Sequence, residues 1–310
     1  MNRISVLGTL VLAGSLSIAV MAAQPQKKAP PEPHADNITV EKVKDNLFVL
    51  RGGGGNTAAF VTAKGVTLVD TKNPRWGQPL LDKVKTLTDK PVTLVINTHT
   101  HYDHTSGNVE MPASAEIVTH ATTAKLMTQM NPVTGLGSTP NVFKDNPGKG
   151  MPKRTFTDKM TIGSGADRID LYHFGPAHTG GDAFVAFPAL RVMHVGDTFP
   201  NKGLPIMDQS NGGSGVEYAN TIRKAAKGVP NIDTIINGHT PANTTPADML
   251  QFADFVQEFV AYVQAGKKAG KSVEDVAKGW STPAKFTGFA PAPDVLRVEA
   301  YVQVIFDETK

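Results

Sequence analysis

Apolar and polar positions change period several times along the chain, and each change marks an element. Ile38-Thr39-Val40-Glu41-Lys42-Val43 alternates, and Leu47-Phe48-Val49-Leu50 does so more loosely. A period of two puts successive side chains on opposite faces of an extended chain, so both read as strands, joined by a turn at Lys44-Asp45-Asn46. Ala58–Thr62 and Val66–Val69 read as the next two strands. Leu80, Leu81, Val84 and Leu87 have helical spacing after Pro79, which predicts an amphipathic helix. Val92-Thr93-Leu94-Val95-Ile96 is a short aliphatic, β-branched run, the pattern of a buried strand. Ala115–Thr119 predicts another strand and Ala121–Met130 a short helix.

The second half repeats this grammar. Thr155–Ile162 and Arg168–Phe174 read as strands, and Ala183–Phe187 with Leu190–Val195 as a hairpin through Pro188-Ala189. Val216–Gly228 predicts a helix and Asp233–Ile236 a strand. Met249, Phe252, Ala253, Val256, Phe259, Val260 and Val263 recur at helical spacing, widened by Leu250, Phe255 and Tyr262. Two further helices start at Ser272 and Asp294. Between the halves, residues 131–153 carry four Pro and four Gly with little periodicity. Long structureless stretches inside a domain are uncommon and often functional, so this one is read as a substrate-covering flap or a surface loop.

The chemistry concentrates at Asn97-Thr98-His99-Thr100-His101-Tyr102-Asp103-His104, directly after the buried strand. Four metal-binding side chains, His99, His101, Asp103 and His104, fall within six positions. On an extended loop His99 and His101 point the same way, while Asp103 and His104 follow at the turn and face a second point. Imidazole and carboxylate together suit zinc, iron and similar ions. Gly52–Gly55 precedes no Lys-Ser/Thr ending and opens no helix, so it reads as a close-approach turn rather than a phosphate cradle.

Three later motifs extend the pattern: Gly175-Pro176-Ala177-His178-Thr179-Gly180-Gly181-Asp182, Val195-Gly196-Asp197-Thr198-Phe199 and Asn237-Gly238-His239-Thr240. In this order, with the His-x-His-x-Asp-His cluster first, they resemble the metallo-β-lactamase superfamily. The resemblance runs from about Asn46 to His239. It implies an α/β fold, the αββα sandwich. It implies two divalent metal ions, most often zinc, with iron or manganese as alternatives. His99, His101 and His178 would hold the first, Asp103, His104 and His239 the second, and Asp197 would bridge them. A hydroxide shared by two metals ~3.5–4 Å apart would attack an ester, thioester, lactone or amide-type carbonyl, with Asp103 moving its proton. Asp70, at the end of a predicted strand, would support the metal loop from behind, where otherwise it would cap a turn. His120, His173 and His194 read as structural.

Asp197 stands where several β-lactamase subclasses have cysteine. An Asp followed by Thr-Phe resembles the glyoxalase II and lactonase branches, yet neither glyoxalase II's basic glutathione cluster nor the lactonase tyrosine after Asp197 has a counterpart. β-Lactam hydrolysis stays an alternative. So do single-iron dioxygenation and a metal-binding accessory role.

Composition narrows the setting. The chain has 310 residues, 40% hydrophobic, with no cysteine and a formal net charge of +3. No run of Lys or Arg exceeds two, so nucleic acid is not an expected partner. Residues 1–23 combine Arg3, an apolar stretch and small residues at Val20-Met21-Ala22-Ala23, which reads as a signal peptide and predicts a periplasmic or secreted protein without stable membrane insertion. Residues 24–37 read as a flexible lead-in, 38–245 as the metal domain and 246–310 as a helical extension packed on it. The expected partner is a small-molecule substrate, and self-association stays open.

Overall fold

Antiparallel pairing builds the first sheet, and parallel pairing then extends it. β1 (Thr39–Lys44), β2 (Leu47–Arg51), β3 (Thr57–Thr62) and β4 (Gly65–Val69) run up and down in order. α1 (Gly77–Lys85) crosses to β5 (Val92–Ile96), which lies parallel to β4. A single turn, α2 (Tyr102–Thr105), precedes β6 (Glu116–His120). α3 (Ala121–Gln129) and α4 (Val142–Asp145) then lead to β7 (Arg154–Phe156), and β5, β6 and β7 are parallel. The structure, a computed structural model, describes residues 32–310. The expected signal peptide and the lead-in to residue 31 lie outside the described residues. The end of the lead-in forms a helical turn at Ala35–Asn37.

β8 (Lys159–Ile162), β9 (Ile169–Tyr172), β10 (Phe184–Phe187) and β11 (Val192–His194) form the antiparallel part of a second sheet. α5 (Gly215–Gly228) leads to β12 (Thr234–Ile236), which pairs parallel with β11. α6 (Pro246–Lys268), α7 (Val273–Lys278) and α8 (Val295–Glu308) follow. The predicted strand Thr155–Ile162 is thus two strands in two sheets, β7 in the first and β8 in the second. Phe156, Met160 and Ile162 keep one period of two across the turn, interrupted by Asp158 alone, and periodicity does not record a change of hydrogen-bonding partner.

Three apolar clusters define four layers. Leu47, Val49, Phe60 and Ile96 of the first sheet meet Leu171, Val185, Phe187 and Ile236 of the second. Leu80 and Val84 of α1 cover the outer face of the first sheet through Leu68 and Val95. Tyr218 and Ile222 of α5, Phe252, Phe255 and Phe259 of α6, and Tyr301 and Ile305 of α8 cover the second through Phe184 and Met193. A large side chain buried fully contributes roughly 1.5–3 kcal/mol, so α6 and α8 are integral to the outer layer. This is the αββα sandwich. No helix among the described residues is long and apolar enough to cross a membrane. The parallel pairs β4·β5 and β11·β12 matter for the site. Asp70 and His99 leave the first pair, and Asp197 and His239 leave the second.

Candidate metal centre

The loop after β5 is held from behind. Asp70 follows β4 with φ of 66°, a left-handed conformation that short polar side chains tolerate. Its carboxylate accepts from the Thr98 amide at 2.8 Å and the Thr98 hydroxyl at 2.7 Å. The same carboxylate lies 2.7 Å from His104 Nδ1. Asn97 and Asn108 lock together, Asn108 Nδ2 donating to Asn97 Oδ1 at 2.8 Å, and Thr71 donates to Asn108 at 2.7 Å. His101 keeps extended backbone while Tyr102–Thr105 folds into α2, so His99 and His101 are presented separately from Asp103 and His104.

His99, His101 and His178 form one group. Each has one ring nitrogen held by a partner outside the group and the other facing the group. His99 Nδ1 lies 2.9 Å from Thr98 Oγ1, whose own proton goes to Asp70. His101 Nε2 lies 2.7 Å from Asp208 Oδ2. His178 Nδ1 lies 2.9 Å from the Ile206 carbonyl. These partners assign the protons, so the lone pairs sit on His99 Nε2, His101 Nδ1 and His178 Nε2. The last two are 2.9 Å apart. Burial and neighbouring imidazoles hold His99 well below the ordinary histidine range. Burial and His101 push His178 down to about 4. Both rings are neutral at pH 7.

Asp103, His104 and His239 form the second group. His239 Nε2 lies 3.3 Å from Asp103 Oδ2 and 3.1 Å from Asp197 Oδ2. Asp197 stands between the groups, its Oδ2 also 3.7 Å from His178 Nε2. Here carboxylates dominate. Burial disfavours a charged His104, but Asp197, Asp103 and Asp70 outweigh it and raise the ring well above the usual range. His239 is likewise raised, against burial, to about 10 by Asp197 and Asp103. Burial would raise Asp103, yet His104 and His239 hold it at about 2.

The donor set fits cations. Three imidazole nitrogens converge, and among the described residues His99 Nε2 and Asp197 Oδ1 are buried without a hydrogen-bond partner. Beside them, carboxylates retain protons on two imidazoles, a demand for positive charge that a divalent ion meets. Close packing protects the geometry. A Cβ at Gly55 would stand 2.1 Å from the His104 ring, and one at Gly238 1.8 Å from Asp197 Oδ1.

The cluster opens into a cleft of about 250 Å³. His101, Asp103, His178, Asp197 and His239 line it, with Val133, Leu136, Leu204 and Ile206. Val133 and Leu136 belong to the segment 131–153. That segment holds α4 and a Val133–Gly137 turn. The Thr134 amide and hydroxyl both donate to Asp208 at 3.0 Å.

The structure brings His99, His101, Asp103, His104, His178, Asp197 and His239 together, with Asp70 behind His104. His120, His173 and His194 lie apart. His120 accepts from the Thr122 amide at 3.2 Å and stacks on His173 at 4.1 Å. His194 accepts from the Gly196 amide at 3.1 Å and donates to the Asn56 carbonyl at 3.0 Å. Sequence reasoning missed Asp208, Arg297 and Tyr301. Asp208 is a single acid in a Gly-rich loop, and its contact with His101 spans 107 positions.

The family model for the metallo-beta-lactamase superfamily matches residues 50–239, more than half of the chain. The chain belongs to the metallo-beta-lactamase superfamily. It is thereby a metallo-hydrolase by family. Among solved structures, a metallo-beta-lactamase from Pontibacter korlensis aligns with a TM-score of 0.58 at 19% identity, over 71% of this chain and 99% of that one. A double mutant of the sec-alkyl sulfatase PisA1 aligns with a TM-score of 0.66 at 13% identity, over 86% of this chain and 50% of that one. At such identities the likeness is one of fold. A curated relative, the 2,4-dinitroanisole O-demethylase subunit alpha of Nocardioides sp. (strain JS1661), is 24% identical over 166 residues, covering 52% of this chain and 46% of the relative. The chain thus matches under half of that relative's length.

Proposed function

We propose that this chain is an exported, two-metal hydrolase that cleaves an ester, thioester, lactone or amide-type carbonyl. The observation that carries this reading is the convergence of three imidazole nitrogens, of His99, His101 and His178, beside Asp197 and the acid-rich second group. His99, His101 and His178 would hold one divalent cation, zinc foremost, and Asp103, His104 and His239 the other, with Asp197 shared. Bound there, two cations would supply an acidified water and a Lewis acid for the substrate's oxygen. The chain's own residues do the rest. Asp70 and Asp208 fix the orientation of His104 and His101. Asp103 lines the cleft, stays ionised at neutral pH, and takes the proton of the attacking water for delivery to the leaving group. Val133 and Leu136 cover the cleft and limit bulk water there. The leader-like residues 1–23 support export.

A second reading has its own support. The O-demethylase and the sulfatase are named for ether and sulfate-ester substrates, so the attacked centre need not be a carbonyl. Initial rates of the zinc-loaded full chain separate the two. The panel is an aryl ester, an acyl thioester, an acyl-homoserine lactone, a chromogenic cephalosporin, a secondary alkyl sulfate and 2,4-dinitroanisole. A dominant carbonyl rate, lost with chelator and restored by metal, supports the proposal. A dominant sulfate or ether rate moves the reaction to the second reading. Metal binding with no turnover on any substrate favours the accessory role.

A further inference from the structure

Two polar groups on the wall of the cleft take no part in the metal cluster. Arg297 and Tyr301 stand four residues apart on α8, hence on one helix face. Both line the cleft with His101, Asp103 and Asp197. Tyr301 is fully buried, and its hydroxyl has no hydrogen-bond partner among the described residues. Arg297 Nε has none either. The carboxylate beside Arg297 is Asp294, 3.9 Å from Nε, beyond hydrogen-bond reach. Asp294 instead caps α8, accepting from the Arg297 amide at 3.1 Å.

An unpaired buried hydroxyl is costly, because it gives up water and gains nothing. Phenylalanine would fill the same space without that cost. Among the described residues Arg297 is also the one Lys or Arg side chain lining the cleft. The acids of the cleft, Asp103 and Asp197, are matched by His104 and His239 and by the cations proposed there. Among the described residues the charge of Arg297 is met by the largely exposed Asp294 at 3.9 Å, without a hydrogen bond. The Val133–Gly137 turn lies over the pair. A Cβ at Gly135 would stand 3.4 Å from the Tyr301 ring and 3.7 Å from Arg297 Cγ. The Arg297 side chain is 39% exposed, which leaves its guanidinium open to an anion.

We infer that Arg297 and Tyr301 form a subsite for a carboxylate carried by the substrate, at the end remote from the bond that is cleaved. A guanidinium presents its N–H groups in a planar fork that matches a carboxylate, and the Tyr301 hydroxyl adds a neutral donor. Leu136 and Leu204 then pack against the short chain between that carboxylate and the reacting centre. The substrate class is a small acyl compound with a free terminal acid. This assignment rests on the hydrolase reading and specifies its substrate.

The test compares two aryl esters of similar size, mono-p-nitrophenyl glutarate and p-nitrophenyl butyrate, on the metal-loaded full chain. The glutarate ester is expected to have the higher kcat/KM by about tenfold or more, chiefly through KM. Arg297→Gln brings the ratio close to one, and Arg297→Lys restores part of it. Tyr301→Phe lowers the ratio while Tm is unchanged or raised, an outcome that a purely structural hydroxyl would not give. Calorimetric titration with free glutarate supplies a readout independent of turnover. Its Kd should weaken about tenfold in Arg297→Gln. If neither ester is cleaved while glutarate binds and Arg297→Gln weakens it, the subsite stands and ester hydrolysis falls. A wild-type ratio near one, or a preference and a glutarate Kd unchanged in both Arg297→Gln and Tyr301→Phe, overturns the assignment.

Discussion

His99, His101 and His178 meet with His99 and His178 held neutral, whereas His104 and His239 sit among three carboxylates. The first group is organised by hydrogen bonds. A hydroxyl, a carboxylate and a backbone carbonyl each take one ring N–H and aim the other nitrogen inward. The second group is organised by charge. Burial pushes His178 down to about 4, while Asp197 and Asp103 overcome burial and raise His239 to about 10. One set of residue types thus makes two kinds of cation site. In the first, His99 and His178 are already neutral at pH 7, and the second must exchange protons for its ion.

Asp197→Ala is the most damaging way to disturb this contrast, because Asp197 faces both groups. Activity should fall by more than about a hundredfold, and mass spectrometry should find the second cation missing. Gly55→Ala comes next. It drives a methyl group into the His104 ring, so the second cation should be lost while the first remains. Full occupancy of both would mean that the loop yields. Asp70→Asn and Asp208→Asn form a matched pair with smaller effects. Each should weaken its own site by about 10–100-fold, Asp70→Asn through His104 and Asp208→Asn through His101. Equal losses at both sites in either variant would erase the distinction. The finest test is proton release. At pH 7.5 the raised His104 and His239 are protonated in the metal-free protein, and His99 and His178 are not. Binding at the first group should release no proton from those two rings. Binding at the second should release up to two, and its affinity should rise with pH. Calorimetry in buffers of different ionisation enthalpy reads this directly.

Much of this was legible in the sequence because it is local. His99 to His104 lie on one loop, and their spacing alone separates two directions of presentation. The strands before them announce themselves by period. His178, Asp197 and His239 are far apart in the chain, and only their motifs bring them to the same place. The rest depends on tertiary contact. Asp208 reaches His101 across 107 positions from an irregular loop with no pattern to mark it. Arg297 and Tyr301 lie on a helix whose apolar stripe reads as packing, and their polar tips have meaning only once α8 is set beside the cleft. The break between β7 and β8 escaped for a related reason, since hydrogen-bond partners leave no trace in hydrophobic period.

The central claim is a pair of cation sites with turnover dependent on the second. It is tested most directly by titrating the chelator-stripped full chain with zinc, reading stoichiometry by native mass spectrometry and hydrolysis on the same samples. The account predicts two binding steps, the first to His99, His101 and His178 and the second to Asp103, His104 and His239, with the rate rising on the second. Full hydrolysis by protein carrying no cation, or saturation at one cation with the rate already maximal, would contradict it.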